Sequence, residues 1–142
     1  MAKKKGRRAV GATGYSFRSD FEQAIGSQLL ENSADWSYET LTVPFVIPET
    51  SHKYTADFLC TKRDGTMMLI ETKGIFKLAD RKKHLYLRAC WPDLDIRLLF
   101  MDANKKLQKG AKSTYGEWAT KNGFKWAHKR IPKEWLKELA YL

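Results

Sequence analysis

The stretch from Tyr54 to Gly74 limits the fold more than any other part of the chain. It reads Tyr-Thr-Ala-Asp-Phe-Leu-Cys, a polar turn, then Met-Met-Leu-Ile-Glu-Thr-Lys-Gly. Asp57, Glu71 and Lys73 sit inside these apolar runs, within 17 residues of one another. Charged side chains rarely enter apolar strands unless they are paired or ligated. Residues 55–61 and 66–73 are expected strands, joined around Arg63-Asp64-Gly65. Alternation puts Phe58, Cys60, Met68 and Ile70 on one side and Leu59, Met67 and Leu69 on the other. Strands that are apolar on both faces lie centrally in a sheet covered by helices.

The turn sets the register. A two-residue Asp64-Gly65 loop puts Asp57 opposite Thr72 and sends Glu71 to the other face. A three-residue loop, Arg63-Asp64-Gly65 with Gly65 left-handed, puts Asp57 opposite Glu71. Lys73 follows Glu71 by two residues and shares its face.

The remaining chain is read around this hairpin. With 142 residues and 43% hydrophobic content, one domain is expected. Residues 1–14 carry Lys3, Lys4, Lys5, Arg7 and Arg8 with no acidic residue or periodicity. They read as a disordered basic arm ahead of a single domain over 15–142. Phe21, Ile25 and Leu29 repeat every fourth residue and predict a helix over 17–30. Ser19-x-x-Glu22 fits a capping box, which by itself accounts for Glu22. Residues 36–47 read as extended chain, confined to an edge or bridge by Pro44 and Pro48. Residues 49–53 read as a polar connection, with His52 at the surface or near the site.

A second helix is expected over 75–91, stopped by Pro92, with Leu78, Leu85 and Ala89 as its core line. Arg81, His84 and Arg88 share another face, flanked by Lys82 and Lys83. A strand over 95–101, a lysine-rich loop over 103–113, a short helix over 114–122, a strand over 124–127 and a helix opened by Ile131-Pro132 complete the order. The fold class is α/β: a mixed central sheet flanked by helices. Trp91, Trp118, Trp126 and Trp135 read as core residues rather than stacking platforms for bases.

Charge narrows the partners. Twenty-six basic residues against 16 acidic give a net +10, and the arm holds half of that excess. A polyanion, nucleic acid before membrane, is the expected partner. No apolar run approaches the roughly 18 residues of a membrane span, and no apolar h-region follows the basic start. Cys60 and Cys90 are isolated, which fits reduced core thiols of a cytosolic protein better than a zinc site.

Phosphodiester hydrolysis needs an activated water and stabilised charge on the phosphoryl and leaving oxygens. Mg²⁺, for which Mn²⁺ can substitute, supplies all of these and takes hard oxygen ligands. Asp57 and Glu71 offer carboxylates, and the Thr72 carbonyl a further oxygen. The Lys73 ammonium can orient the water and offset phosphate charge. The alternative for the same residues is a buried structural Glu–Lys pair.

The pattern resembles the PD-(D/E)xK nucleases, and more narrowly the phage endonuclease I family of four-way-junction resolvases. The likeness rests on Phe17-Arg18-Ser19 with Glu22, Val43 to Pro48, Tyr54 to Phe58, and Glu71-Thr72-Lys73-Gly74. It continues through Asp80 to Leu85, Asp95-Ile96-Arg97, Thr114 to Glu117, and Ile131 to Trp135. Ala56 stands where the family has proline. The resemblance implies a restriction-endonuclease-like fold and catalytic positions at Glu22, Asp57, Glu71 and Lys73, with Asp57 and Glu71 on the metal. It therefore favours a site role for Glu22 over the bare helix cap.

The resemblance also implies a homodimer whose N-terminal segments, residues 15–48, are exchanged, so that Glu22 of one chain joins Asp57, Glu71 and Lys73 of the other. The setting it implies is the cytoplasm of an infected bacterial host. Branched DNA, above all the four-way junction, is the implied substrate, read by shape and cut in two symmetric events. Phosphate contacts are expected from Lys3, Lys4, Lys5, Arg7, Arg8, Arg18, Arg81, Lys82, Lys83, His84, Arg88, Lys105 and Lys106. A broader nuclease for branched or mismatched DNA, and a non-catalytic DNA-binding module, are the competing readings.

Overall fold

A computed structural model describes residues 13–47 and 50–142. Lys3, Lys4, Lys5, Arg7 and Arg8 of the basic stretch, together with Pro48 and Glu49, lie outside the described residues.

The chain runs α1 (Asp20–Glu31), β1 (Trp36–Tyr38), β2 (Thr42–Ile47), β3 (Thr50–Thr55), β4 (Phe58–Thr61), β5 (Met67–Lys73) and α2 (Leu78–Cys90). It continues with β6 (Ile96–Phe100), α3 (Tyr115–Lys121), β7 (Lys125–His128) and α4 (Lys133–Glu138). Five strands form one sheet in the order β1-β4-β5-β6-β7. Pairing is antiparallel from β1 to β5 and parallel from β5 to β7, so the sheet is mixed with β5 at its centre. Among the described residues, strands β2 and β3 pair only with each other, as a separate antiparallel ribbon.

Apolar residues fill both faces of the sheet. On one face Phe58, Cys60, Met68, Ile70 and Leu99 meet Ile25 and Leu29 of α1 and Trp135 of α4. On the other, Leu98 and Phe100 meet Tyr115 and Ala119 of α3. Nearby, Leu69 and Ile96 meet Leu87 of α2 with Phe45 and Tyr54 of the ribbon. Burial of each Leu or Phe in these sets contributes roughly 1.5–3 kcal/mol. Arg97, 1% exposed, sits among them on β6 and donates to Asp95 and Glu138 at 3.0 Å each, tying the strand to α4. Met67, expected inside, is exposed at the start of β5.

Three expectations are corrected by local backbone chemistry. The extended run over 36–47 is broken: Glu39 turns left-handed with φ 53° and divides β1 from β2. The polar residues 50–53 belong to β3, because they pair in register with β2 from Ile47↔Thr50 to Pro44↔Lys53. The strand expected over 55–61 is interrupted at Ala56 and Asp57. Ala56 N–H turns aside to the Leu41 carbonyl, and the Asp57 carbonyl accepts from Glu39 N–H.

The core line of α2 is reversed. Leu78, Leu85 and Ala89 are exposed, and Arg81, His84 and Leu87 are buried. Arg81 is drawn in by carbonyl groups that need a donor: its Nη1 donates to Phe76 O at 2.7 Å and to Leu107 O at 3.4 Å. His84 packs among the rings of Tyr54, Phe76 and Phe124. The thiols divide: Cys60 is buried and Cys90 is exposed, so only the first is a core thiol. Among the tryptophans Trp135 is buried, while Trp91 is 41% exposed and donates to the Pro44 carbonyl. No helix among the described residues is long and apolar enough to cross a membrane.

Candidate active site

The β4–β5 turn takes the odd-length form. Gly65 is left-handed at φ 84°, Gly65 N–H bonds Lys62 O at 2.9 Å, and Lys62 N–H bonds Thr66 O at 2.8 Å. Pairing then runs from Thr61↔Met67 to Phe58↔Ile70. Extended by one residue this register would set Asp57 against Glu71; Asp57 itself precedes β4, and its carboxylate accepts from Thr72. Both carboxylates are buried, at 4% and 5% exposure, and both line one open cleft at the end of β5.

Each acidic group is held by named donors. Asp57 Oδ2 accepts from the Thr72 N–H and hydroxyl, each at 2.9 Å, and Oδ1 accepts from Arg18 Nη2 at 2.9 Å. Glu71 Oε2 accepts from the Tyr54 hydroxyl at 2.7 Å, while Oε1 faces Lys73 Nζ at 3.2 Å. Lys73 also lies 3.5 Å from Asp80 of α2. Glu22 enters from α1. Its N–H is capped by Ser19 Oγ at 3.1 Å, and its Oε2 accepts from the Tyr38 hydroxyl at 2.8 Å. The helix cap and the site contact are therefore one geometry: the cap fixes the first turn, and the first turn aims Glu22 into the cleft.

Glu39 completes the group and was not anticipated. Its left-handed backbone turns the carboxylate toward Arg18 Nε at 2.7 Å. Ligand-capable oxygens of Glu22, Glu39 and Asp57 lie within 4.8 Å of one another. The signal that marks Asp57 was present here as well: Glu39 is a charge inside a run of Trp, Tyr, Leu, Val and Phe.

Concentrated negative charge shifts the acid–base equilibria of the site. Burial, then the charges of Glu71 and Glu22, push the Asp57 carboxyl up to about 7 against the opposing donors of Thr72. Burial works against a charged Lys73, yet Glu71 and Asp80 outweigh it and raise its pKa. Lys73 is thus an ammonium, suited to holding an anion or a water rather than to accepting a proton.

The expected phosphate contacts divide. Arg18 lies at the cleft, bonded to the acidic cluster, and Lys83 lies on its rim. Lys53, read as part of a connection, also lines the cleft. Lys82, Lys105 and Lys106 are exposed away from it, with Lys106 donating to Lys112 O at 2.8 Å. Arg81 and His84 are corrected: at 6% and 0% exposure neither can meet a phosphate. His84 stays neutral, since burial and then Lys73 and Lys83 depress its pKa to about 3. Arg88 is half-buried, with its guanidinium bonded to the Asn122 carbonyl and 3.7 Å over the Phe124 ring. His52 is exposed with its ring against Phe45, outside the cleft lining.

Comparison with known proteins identifies the family. A family model described as phage endonuclease I matches residues 1–141. Endonuclease I of Escherichia phage T7 is 45% identical over 134 residues, covering 94% of this chain and 85% of that protein. Endodeoxyribonuclease 1 of Enterobacteria phage T3 is 44% identical over 125 residues, covering 88% of this chain and 80% of its own length. A chain matched along nearly its whole length, with its acidic hairpin and helix carboxylate assembled in one cleft, belongs to the phage endonuclease I family.

Proposed function

We propose that this chain is a Mg²⁺-dependent endodeoxyribonuclease that binds four-way DNA junctions by shape and cuts near the branch in two symmetric events. One observation carries the reading: Glu22, Asp57, Glu71 and Lys73 line a single open cleft whose rim bears Arg18, Lys53 and Lys83. The names of the T7 and T3 relatives support a nuclease acting on DNA.

A divalent cation fits the residues. Hard carboxylate oxygens crowd the cleft, and Asp57 is held near a pKa of 7 by burial and its acidic neighbours, a condition that bound cationic charge relieves. Asp57 and Glu71 would hold the ion, with the Thr72 carbonyl as a further oxygen, and Glu22 and Glu39, whose oxygens lie within 4.8 Å of those of Asp57, would add further ligands. When bound, it supplies a more acidic water and charge stabilisation on the phosphate. Lys73, positively charged, orients that water and offsets the charge gained by the phosphoryl oxygens. Arg18 and Lys83 hold backbone phosphates at the rim, positioning DNA without reading bases.

Two symmetric cuts call for two equivalent sites, which a two-fold homodimer presents. The separate β2–β3 ribbon supports segment exchange, because α1 and β1 precede it and the rest of the sheet follows it. Glu22 reaches Asp57 within a single chain here, and exchange would keep the same contacts with a partner's helix.

The test sets a labelled four-way junction against a matched linear duplex, with and without Mg²⁺. Paired cuts near the branch that need Mg²⁺ are expected. Equal cleavage of nicked, mismatched and linear DNA would favour the broader nuclease. Binding without cleavage, unchanged in Glu71→Gln, would favour the binding module.

A further inference from the structure

We infer that Tyr38 and Tyr54 are positioning residues, each fixing one glutamate so that its second oxygen faces the cleft in a set orientation. The inference rests on the cation-dependent reading above and goes further by naming residues that hold the ligands rather than bind the ion.

A glutamate has three side-chain torsions, and the last is broad, so burial alone does not aim its carboxylate. Asp57 is shorter and is held by its strand neighbour Thr72 through two donors at 2.9 Å. Among the described residues the two glutamates have no equivalent donor on an adjoining strand. Instead a phenol reaches each of them: Tyr38 to Glu22 at 2.8 Å and Tyr54 to Glu71 at 2.7 Å. In both cases the phenol holds one carboxylate oxygen. The other takes a longer bond at the cleft, from Ser19 Oγ at 3.3 Å for Glu22 and from Lys73 Nζ at 3.2 Å for Glu71, while Arg18 Nη2 lies 3.5 Å from Glu22 Oε2.

Both phenols are buried and packed. Tyr38 is 7% exposed and packs edge-on against Phe17, with ring centres 4.6 Å apart, on the α1 face of the sheet. Tyr54 is 3% exposed and packs edge-on against His84 on the α2 face, with Lys83 Nζ 5.8 Å from its ring centre. The two glutamates are thereby tied to two different hydrophobic clusters. Donors behind a metal ligand fix its orientation, and their loss typically weakens metal affinity about 10–100-fold.

Tyr38→Phe and Tyr54→Phe remove only the hydroxyl and keep each ring in its cluster. Mn²⁺ binding is measured by calorimetry on the DNA-free protein, beside thermal unfolding of the same samples. Each variant is expected to bind Mn²⁺ about tenfold more weakly while unfolding cooperatively, and the double variant more weakly still. Wild-type affinity in both single variants would overturn the inference. Glu71→Gln and Asp57→Asn separate it from the reading beneath it. If wild type binds no Mn²⁺, or binds it independently of both carboxylates, the cation site itself fails. If binding needs the carboxylates and ignores the phenols, only the positioning role fails.

Discussion

Arg18 Nη2 lies 2.9 Å from Asp57 Oδ1, and the same guanidinium lies 2.7 Å from Glu39 and 3.5 Å from Glu22. One exposed cation thus offsets the charge of three converging carboxylates. Arg18→Gln is expected to destabilise the cation-free protein by about 1–2 kcal/mol at neutral pH, a modest figure because the guanidinium is open to solvent. Mg²⁺ is then expected to raise the melting temperature more in the variant than in wild type, since the carboxylates have lost their competing cation. Thermal melts with chelator and with Mg²⁺ check both. An equal Mg²⁺ increment in the two proteins would show that Arg18 and the ion do not share these ligands.

Asp57 also gives the protein a pH signature. Its folded pKa, about 7, stands above the ordinary 3.8, so the native state holds this proton longer than the unfolded chain does. Stability from this group is therefore greatest below its unfolded pKa and is lost as pH rises toward about 7. Asp57→Asn removes that loss. His84 titrates in an overlapping range with opposite sign, but it is present in both proteins and cancels in their difference. Urea midpoints in chelator are expected to show the variant gaining on wild type between about pH 4 and about pH 7. Parallel curves would remove Asp57 as a strained acid.

Lys73→Ala is expected to lower cleavage by about 10²–10³-fold while leaving junction affinity within a few fold, because a charge aimed at the reacting phosphate acts mainly in the transition state. Gel-shift binding in Ca²⁺ beside single-turnover cleavage in Mg²⁺ reads the two separately. Retained turnover would exclude Lys73 from the reaction.

Local chemistry made the hairpin legible and left α2 misread. Gly65 and the alternation around it left loops of two or three residues open, and the need to bring Asp57 opposite Glu71 selected the three-residue form that the hairpin takes. On α2, Leu78-Leu85-Ala89 and Arg81-His84-Arg88 both follow helical spacing, and hydropathy favours the first line. The choice falls the other way because Phe76 and Leu107, one before the helix and one far beyond it, offer carbonyls that Arg81 satisfies. Glu39 carries the same mark as Asp57, a charge in an apolar run, but its placement depends on a left-handed break that the neighbouring residues do not announce. Glu22 looked like a cap from its spacing, and only resemblance gave it a second role.

The reversed face of α2 can be measured directly. Leu85→Lys alters a side chain that is 41% exposed and is expected to change stability by less than about 0.5 kcal/mol. Arg81→Met keeps much of the aliphatic stem but leaves the Phe76 and Leu107 carbonyls without this donor, at a cost of about 1–3 kcal/mol. Urea unfolding of the two variants ranks them. The reverse ranking would restore the leucine line as the core.

The proposed exchange of α1 makes a prediction that the site contacts alone do not. Glu22→Ala and Asp57→Ala chains are each expected to be inactive. In an exchanged heterodimer one site collects both substitutions, and the other pairs an intact Glu22 with an intact Asp57. Random mixing should then restore nicking to roughly a quarter of wild type, with few paired cuts because each heterodimer carries one working site. Were the carboxylates drawn from a single chain in the dimer, every site would keep one substitution and mixing would restore nothing. A mixture of differently tagged chains, refolded together and purified through both tags, supplies the heterodimer. Its product pattern on a four-way junction decides which chain contributes Glu22.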